Sequence, residues 1–303
     1  MNATICSIEN YIARFNCRGA YMCDYKIIAD SSCELPSSLR EDKRFSLIPF
    51  RMEVDGVSFK DNKSLNIRQF LESIRKSKTC PKSSCPSPDL FLRQLDTDAK
   101  RIYIITISSK LSGCYNSAML AKSMYEEEHD DKQIFVIDSL SASGGECLLA
   151  LKAMELEEEG YDFDEITIRL SNYRDHISTY FVLDNIETLR KNGRLSHLRA
   201  LAANTLNIKP LLAGHMGDII QLDRAIGLRK AWDCMVKRIA RDTANITDMR
   251  SRRLIITHCN NYKGALKVRE MLKACTNFKE YIIMNTSGLS SLYANEGGII
   301  VVY

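Results

Sequence analysis

Short runs rich in isoleucine and valine, each bounded by polar turns and followed by a helical pattern, most constrain the fold of this chain. Three such runs lie at Lys26–Asp30, Arg101–Ile107 and Gln133–Asp138. The helical stretches that follow them are Pro36–Arg40, Gly113–Glu128 and Gly144–Glu159. Runs of this kind are typical of buried parallel strands. Their alternation with helices predicts an α/β domain with a mainly parallel sheet covered on both faces.

Further elements are predicted between the first two runs. Asp55-Gly56 lies between Arg51–Val54 and Val57–Lys60, which predicts a β-hairpin. The stretches Ile67–Ser77 and Pro88–Ala99 have helical patterns. Ser87 is expected to cap the second of these helices, since proline follows it at the first helical position.

The pattern changes after Gly160. Helices are predicted there at Asp162–Arg174, Asn185–Asn192, Ser196–Leu206, Leu228–Asn245 and Tyr262–Cys275. Strands are predicted at Thr179–Leu183, at Ile208–Ala213 and Ile219–Asp223 as a hairpin, and at Arg253–His258, Tyr281–Asn285 and Gly298–Tyr303. We place a domain boundary near Asn172, which gives an N-terminal α/β domain at 25–172 and a second α/β domain at 173–303. Residues 1–24 show little apolar periodicity and are expected to be an N-terminal extension, which could be disordered or could precede a natural start at Met22.

Composition narrows the class of protein. No run approaches the roughly 20 apolar residues of a membrane-spanning helix, and 42 basic residues against 38 acidic ones give no general support for nucleic-acid binding. The first residues lack the pattern of a signal peptide, so we expect a cytoplasmic protein whose eleven cysteines are reduced. There is no CxxC pair and no P-loop or dinucleotide motif, so we expect neither a structural metal nor a cofactor.

Three serine-rich loops are the main candidates for a functional site. They are Asp30–Cys33, Ser83–Pro88 and Ser108–Gly113. Loops after parallel strands meet at one edge of the sheet, where hydroxyl groups and free amides can bind an anionic head group. The simpler alternative is that these serines form turns and that Ser112 only caps a helix. On local sequence alone, this alternative is favoured for Ser112.

Cysteines and basic residues provide two further candidates. Cys33, Cys85 and Cys114 lie one in or beside each serine-rich loop and could converge, although packing beside an apolar pocket explains them better than a metal site does. Arg190–Arg199 is a basic turn interrupted by Gly193. Such a turn is usually solvated surface, but it could also contact a phosphate or an acidic partner.

Six motifs in order resemble the DegV family of bacterial fatty-acid-binding proteins, from about Tyr25 to Tyr303. They are Ile28–Pro36, Ser84–Pro88, Ile107–Gly113, Val136–Gly145, Arg190–Ser196 and Leu206–Pro210. The resemblance implies two α/β domains with a long-chain fatty acid in a tunnel between them. It also implies a non-catalytic subunit, which presents the acyl carboxylate to a separate kinase subunit that makes acyl phosphate for phospholipid synthesis. The basic turn Arg190–Arg199 is then a candidate contact with that kinase.

The resemblance also implies a set of site residues. Ser83 takes the place of the family's threonine, Ser112 matches its carboxylate-binding serine, and Arg194 matches the arginine of its Gly-Gly-Arg turn. The expected ligand-binding residues are Ser83, Ser84, Ser109, Ser112, Gly113, Arg194 and Tyr293. Where many relatives have a histidine near the C-terminus, this chain has Tyr293-Ala294-Asn295, so Tyr293 or Asn295 is expected to replace it. Ile226–Lys230 departs from a basic segment of the family, which makes lipid binding a firmer expectation than kinase partnership.

Physical chemistry agrees with an acyl ligand, because each buried methylene contributes about 0.8 kcal/mol. Apolar helix residues such as Met119, Leu120 and Met124 are expected either to line the tunnel or to be ordinary core. Two rival functions remain open. One is a phosphotransferase or hydrolase that acts on a small anion held by Arg194. Such an enzyme would need a general base near Ser83 and Ser112, and the sequence offers no convincing candidate. The other is a regulatory protein that binds lipid and contacts a different partner through the basic turn.

Overall fold

A computed structural model describes residues 24–195 and 207–303 of the chain. The predicted N-terminal extension, apart from Asp24, and the helix predicted at Ser196–Leu206 lie outside these ranges. In the part of the chain that is described, no helix has both the length and the apolar character needed to cross a bilayer.

The first half of the chain alternates strands and helices as predicted. Its elements are β1 (Tyr25–Asp30), α1 (Ser37–Arg40), β2 (Phe45–Ile48), β3 (Arg51–Val54), β4 (Val57–Lys60), α2 (Ile67–Lys76), β5 (Lys82–Ser84), α3 (Pro88–Leu95), β6 (Arg101–Thr106), α4 (Cys114–Glu128), β7 (Gln133–Asp138), α5 (Gly144–Glu159) and α6 (Phe163–Asp175). Strands β2, β1, β6 and β7 form, in that spatial order, a wholly parallel sheet. This confirms the predicted parallel sheet, although β2 was not predicted.

The second half contains a mixed sheet. Its elements are β8 (Thr179–Val182), α7 (Glu187–Lys191), β9 (Ile208–His215), β10 (Asp218–Ile226), α8 (Leu228–Thr243), a 3₁₀ turn (Met249–Ser251), β11 (Arg253–His258), α9 (Tyr262–Lys273), β12 (Glu280–Asn285), α10 (Gly288–Ala294) and β13 (Ile299–Val302). The spatial order is β10-β9-β8-β13-β11-β12, and β11 and β12 are the parallel pair. The predicted α/β class therefore holds in both halves.

Successive side chains of the parallel strands point to opposite faces of the first sheet. Ile27 and Tyr103 pack with residues of α5, whereas Ile28 and Ile104 pack with residues of α3 and α4. The sheet is therefore covered on both faces, which explains why its strands are apolar throughout.

Helix α5 lies between the two sheets and joins their cores. Twelve of its sixteen residues are buried. Leu148 and Met154 belong to the same apolar cluster as Ile255 and Val302 of the second sheet. Burial of most residues of a helix is expected in such a central position.

A small antiparallel sheet, in the order β4-β3-β5, packs beside the first sheet. It contains the predicted hairpin. It also contains Ser83, which lies in β5 and pairs with Met52 of β3. The prediction that Ser83 lies in a loop is therefore wrong. Ser83 is held in a short strand by backbone pairing, which fixes its position more firmly than a loop would.

Several boundaries differ from those predicted. Helix α3 ends at Leu95, four residues before the predicted Ala99, and Ser87 makes no side-chain capping bond to it. Strands β9 and β10 extend to a tight turn at Met216-Gly217 and are longer than predicted. The proposed domain boundary at Asn172 falls inside α6, and the second sheet begins at Thr179.

Candidate ligand-binding site

A cavity of about 340 Å³ lies where the two sheets face each other. Its apolar wall includes Phe50, Ile107, Leu111, Leu140, Phe181, Leu183, Ile219, Leu289 and Ile300. These residues come from both halves of the chain. Small-molecule sites in proteins usually occupy about 300–1,000 Å³ and are mainly apolar with a few polar groups. The cavity has this character.

Ser83 and Tyr293 form one polar part of the wall. The Ser83 Oγ and Tyr293 OH atoms are 2.8 Å apart, a hydrogen bond in which either group could donate. Ser83 lies on β5 and Tyr293 near the end of α10, and both line the cavity. Because two hydroxyl groups share one bond, one hydroxyl hydrogen of the pair is free to be donated to a ligand oxygen.

Ser112 and Gly113 line the cavity at the start of α4. The Ser112 Oγ accepts a bond from the Cys114 N–H at 3.3 Å, so this serine helps to cap the helix. Its hydroxyl hydrogen remains available to a ligand. A side chain at Gly113 would meet the Cys85 Sγ at 3.6 Å, which shows how closely this loop approaches the residues after β5. The capping role and the ligand-binding role of Ser112 are therefore compatible.

Arg194 brings a positive charge to the cavity. Its Nε donates to the carbonyl oxygen of Leu111 at 3.2 Å, and its Nη1 donates to that of Asn192 at 2.5 Å. The guanidinium also lies over the Tyr293 ring, 5.6 Å from its centroid. Arg194 forms no ion pair with a described carboxylate, so its charge is available to an anion.

The remaining predicted residues divide into two groups. Ser84 lines the cavity, whereas Ser109 is exposed and is not among the lining residues. The backbone N–H of Ser109 instead donates to Asp138 Oδ1 at 3.1 Å. Asn295, the alternative to Tyr293, points to Asn185 and Thr188 and does not line the cavity. The geometry therefore favours Tyr293 over Asn295.

The basic turn Arg190–Arg199 is described only as far as Leu195. Arg190 is exposed and forms an ion pair with Glu187 at 2.8 Å, whereas Arg194 faces the cavity. In the described part of the turn, Arg194 faces the cavity, whereas Arg190 and Lys191 are exposed.

A second group of hydroxyls lines the cavity at Ser32, Ser143 and Ser290. Ser32 belongs to the first serine-rich loop, a predicted candidate, whereas Ser143 and Ser290 were not among the expected ligand-binding residues. The Ser143 Oγ is 2.8 Å from Thr257 Oγ1. Behind these serines lies Glu34, whose Oε1 accepts bonds from the backbone and side chain of Ser287. Burial raises the pKa of Glu34 to about 7, although hydrogen bonds from neighbouring serines oppose the shift. A carboxyl group that titrates near neutral pH thus lies behind this wall.

Asp30 explains why the first serine-rich loop approaches the third. Its carboxylate accepts bonds from the backbone N–H of Ser32 at 2.9 Å and of Ile107 at 2.7 Å. The Cys114 thiol also donates to it at 3.2 Å. Burial raises the pKa of Asp30 to about 6, and these bonds oppose the shift. An acidic residue at the end of a buried strand is the sequence signal that could have predicted this contact.

The turn of the β9–β10 hairpin closes over the cavity. The Ser108 Oγ donates to the carbonyl oxygen of Gly217 at 2.8 Å. Gly217 has φ +86, and a side chain there would come within 2.6 Å of Ser108 Oγ. Only glycine fits this close approach without strain. The hairpin of the second half is therefore fastened to the third serine-rich loop.

Two further sequence expectations can be compared with the structure. Met119, Leu120 and Met124 are exposed on α4 and line neither the cavity nor the core, so that expectation was wrong. Within the described ranges, no three groups of His, Cys, Asp or Glu are placed to hold a metal ion. Cys114 bonds to Asp30, and Cys33 packs in the core cluster that contains Cys147.

Comparison with known proteins agrees with this architecture. Residues 24–303 match the family model described as "Uncharacterised protein, DegV family". A DegV domain-containing protein of Streptococcus pneumoniae is 36% identical over 287 residues, covering 92% of this chain and 98% of the relative. A DegV-family crystal structure from Ruminococcus gnavus, refined with vaccenic acid, is 40% identical with a TM-score of 0.89, covering 93% of this chain and 100% of that one. The fatty acid kinase B3 protein of Streptococcus pneumoniae, loaded with linoleic acid, is 34% identical with a TM-score of 0.83, covering 93% and 99%.

Proposed function

The chain belongs to the DegV family, and on that premise we propose that it binds a long-chain fatty acid and presents the carboxylate to a separate kinase subunit. The observation that carries the proposal is the cavity itself. It is mainly apolar, and Ser83, Ser112, Arg194 and Tyr293 all line it. Relatives at 34% and 40% identity contain fatty acids in their crystal structures.

The apolar wall supports an acyl chain as the main source of affinity. Each methylene transferred from water contributes about 0.8 kcal/mol. The free energy from an acyl chain therefore exceeds what one or two hydrogen bonds contribute, which is about 1 kcal/mol each. In this proposal the polar groups orient the ligand, and the chain holds it.

The polar groups support a carboxylate as the head group. Ser112 and the Ser83–Tyr293 pair can donate hydroxyl hydrogens, and Arg194 supplies a positive charge without a described carboxylate partner. A hydrogen bond between a hydroxyl group and an ionised carboxylate is stronger than one between neutral groups. An anionic head group would satisfy all of these donors at once.

Presentation to a kinase is supported by two observations. One relative is the B3 protein of a fatty acid kinase. In addition, Arg194 belongs to the basic turn and also lines the cavity, so a partner docked on that turn would lie close to the head group. The chain then acts as a non-catalytic subunit in the cytoplasm, where ATP is available to its partner.

The experiment for this step mixes the purified chain, loaded with oleic acid, with ATP and the kinase subunit of a bacterial fatty acid kinase. We expect acyl phosphate only when both proteins are present. ATP turnover by the chain alone would instead support the rival phosphotransferase. Binding of oleic acid without any kinase-dependent product would support the regulatory rival.

A further inference from the structure

A second cavity, of about 520 Å³, lies between helix α2 and the ends of strands β11 and β12. It shares no lining residue with the fatty-acid cavity. Its lining is polar and charged apart from Ile67 and Leu71 of α2. Nothing in the proposed function uses it.

The cavity lies at the carboxyl ends of two neighbouring parallel strands. His258 is the last residue of β11 and Asn285 the last of β12, and the two are paired in register. Asn260 and Thr286, in the loops that follow, also line the cavity. The crevice outside the carboxyl ends of parallel strands is where ligands of open α/β sheets usually bind.

His258 presents a hydrogen-bond donor to this cavity. The residue is only 3% exposed, and its Nδ1 accepts a bond from the Asn261 N–H at 3.2 Å. The neutral ring therefore carries its hydrogen on Nε2, for which the described residues offer no acceptor. Burial lowers the pKa of His258 and keeps the ring neutral. Because His258 lines the cavity, this hydrogen can be donated to a ligand atom there.

Two arginines supply positive charge from helix α2. Arg68 and Arg75 line the cavity and are seven residues apart, which places them on one face of the helix about 10 Å from each other. Neither forms an ion pair with a described residue. Glu72 lies between them, and its carboxylate pairs with Lys76 at 2.7 Å. Lys76 thus partly neutralises the negative charge of Glu72, the acidic residue on that face of the helix.

Acceptors for hydroxyl groups are also present. Glu296 lines the cavity and accepts a bond from Asn260 Nδ2 at 2.6 Å. It retains further lone pairs, as does Glu72 across the cavity. A pure inorganic anion would leave these carboxylates without a role, whereas a ligand with hydroxyl groups would use them.

We propose that this cavity binds a phosphate monoester of a hydroxylated compound. The phosphate is held by Arg68, Arg75 and the His258 Nε2–H, and the hydroxyl groups are bound by Glu72 and Glu296. Arginine suits this role because its planar guanidinium can donate two bonds to one phosphate. A sugar phosphate and a nucleotide share this chemistry. The site is independent of fatty-acid binding.

Isothermal titration calorimetry with ribose 5-phosphate, AMP, ribose and inorganic phosphate tests the proposal. We expect ribose 5-phosphate to bind with a dissociation constant of about 1 mM or lower and ribose not to bind. AMP binding more tightly than ribose 5-phosphate would identify a nucleotide, and the reverse would identify a sugar phosphate. Inorganic phosphate binding as tightly as ribose 5-phosphate would overturn the role given to Glu72 and Glu296.

The variant for this test is Arg68→Gln with Arg75→Gln, both exposed positions whose change should leave the fold intact. We expect at least about tenfold weaker binding of ribose 5-phosphate, since two charge-assisted bonds are lost. Arg93→Gln, an exposed arginine on α3, is the matched control. Undiminished binding in the double variant, or no binding of any phosphate by the wild type, would overturn the proposal. Ser112→Ala should bind ribose 5-phosphate normally, which separates this test from that of fatty-acid binding.

Discussion

The hydroxyl groups of Ser83 and Tyr293 lie 2.8 Å apart although 210 residues separate them in the chain. The bond joins strand β5 of the first half to helix α10 of the second. The N-terminus of α10 is held to the first half as well, since Gly288 and Leu289 donate to the two carboxylate oxygens of Asp61, each at 2.8 Å. Helix α10, which forms part of the cavity wall, is thus hydrogen-bonded to the first half of the chain at both of its ends.

Tyr293→Phe removes only the hydroxyl group from this pair. We expect affinity for oleic acid to fall by about two- to tenfold, because one hydrogen bond contributes about 0.5–1.5 kcal/mol. Equilibrium binding of radiolabelled oleic acid measures the change. Tyr262→Phe, at an exposed tyrosine on α9, is the control. Equal affinities of the Tyr293→Phe variant and the wild type would remove this residue from the head-group site.

Ser112→Ala should also weaken binding of oleic acid, by about tenfold or more if the serine donates to the carboxylate. The change also removes the bond to the Cys114 N–H. A loss of stability of about 1 kcal/mol is therefore expected as well. Thermal unfolding of the ligand-free protein measures that loss separately. Ser109→Ala is the control, since Ser109 is exposed outside the cavity; if both variants bind equally well, Ser112 has no part in binding.

Glu34 predicts a pH dependence of stability. Burial raises its pKa from an ordinary value of 4.5 to about 7. Between these pH values the native state holds a proton that the unfolded state has lost, so the free energy of unfolding falls as pH rises. The slope is on the order of 1 kcal/mol per pH unit. The contribution is fully present below the lower value and is lost above the higher one.

Urea unfolding of wild type and Glu34→Gln between these pH values measures the effect. Glutamine cannot ionise, so the stability of the wild type relative to this variant should decline as pH rises. Asp30 and His258 titrate in both proteins, whereas the charge of Glu34 also raises the pKa of buried Glu146, so the difference reports Glu34 together with its effect on Glu146. Glu127→Gln, at an exposed position on α4, is the control. Parallel profiles for wild type and Glu34→Gln would show that Glu34 is ionised throughout.

Gly217→Ala tests the contact between the hairpin and the third serine-rich loop. The new methyl group would meet the Ser108 Oγ at 2.6 Å and the Leu140 Cδ2 at 3.3 Å. Gly56→Ala is a matched control, because Gly56 has a similar φ of +80 but no atom within 4 Å of the added carbon. Overpacking should make Gly217→Ala less stable than the control by about 1–3 kcal/mol. Equal losses of unfolding free energy in urea would mean that the hairpin turn is not packed there.

The sequence predicted secondary structure best where the residues of an element have a clear apolar pattern of their own. Strands β1, β6 and β7 are isoleucine- and valine-rich runs, and their bounds were predicted within one residue. Strand β5 was missed because it has three residues, Lys82-Ser83-Ser84, with no apolar alternation. Helix α10 was missed because its seven residues include a glycine and two serines, and tertiary contacts with Asp61 stabilise it.

For the site, the family resemblance implied Ser83, Ser84, Ser112, Gly113, Arg194 and Tyr293 as ligand-binding residues, and all six line one cavity. Ser32 lies in a loop that was predicted as a candidate, but Ser143 and Ser290 could not be predicted, because their positions depend on how helices α5 and α10 pack between the sheets. Ser109, in contrast, was expected to bind the ligand but does not line the cavity. It neighbours Ser108 in sequence, yet Ser108 is buried against Gly217 while Ser109 faces solvent.

The measurement that tests fatty-acid binding most directly is mass spectrometry of an organic extract of the purified protein, with extracted buffer as the blank. We predict a long-chain fatty acid in near-equimolar amount, and its depletion in an extract of Ser112→Ala prepared in the same way. An extract that matches the blank, and still matches it after the protein has been soaked with free fatty acids, would contradict fatty-acid binding by this chain.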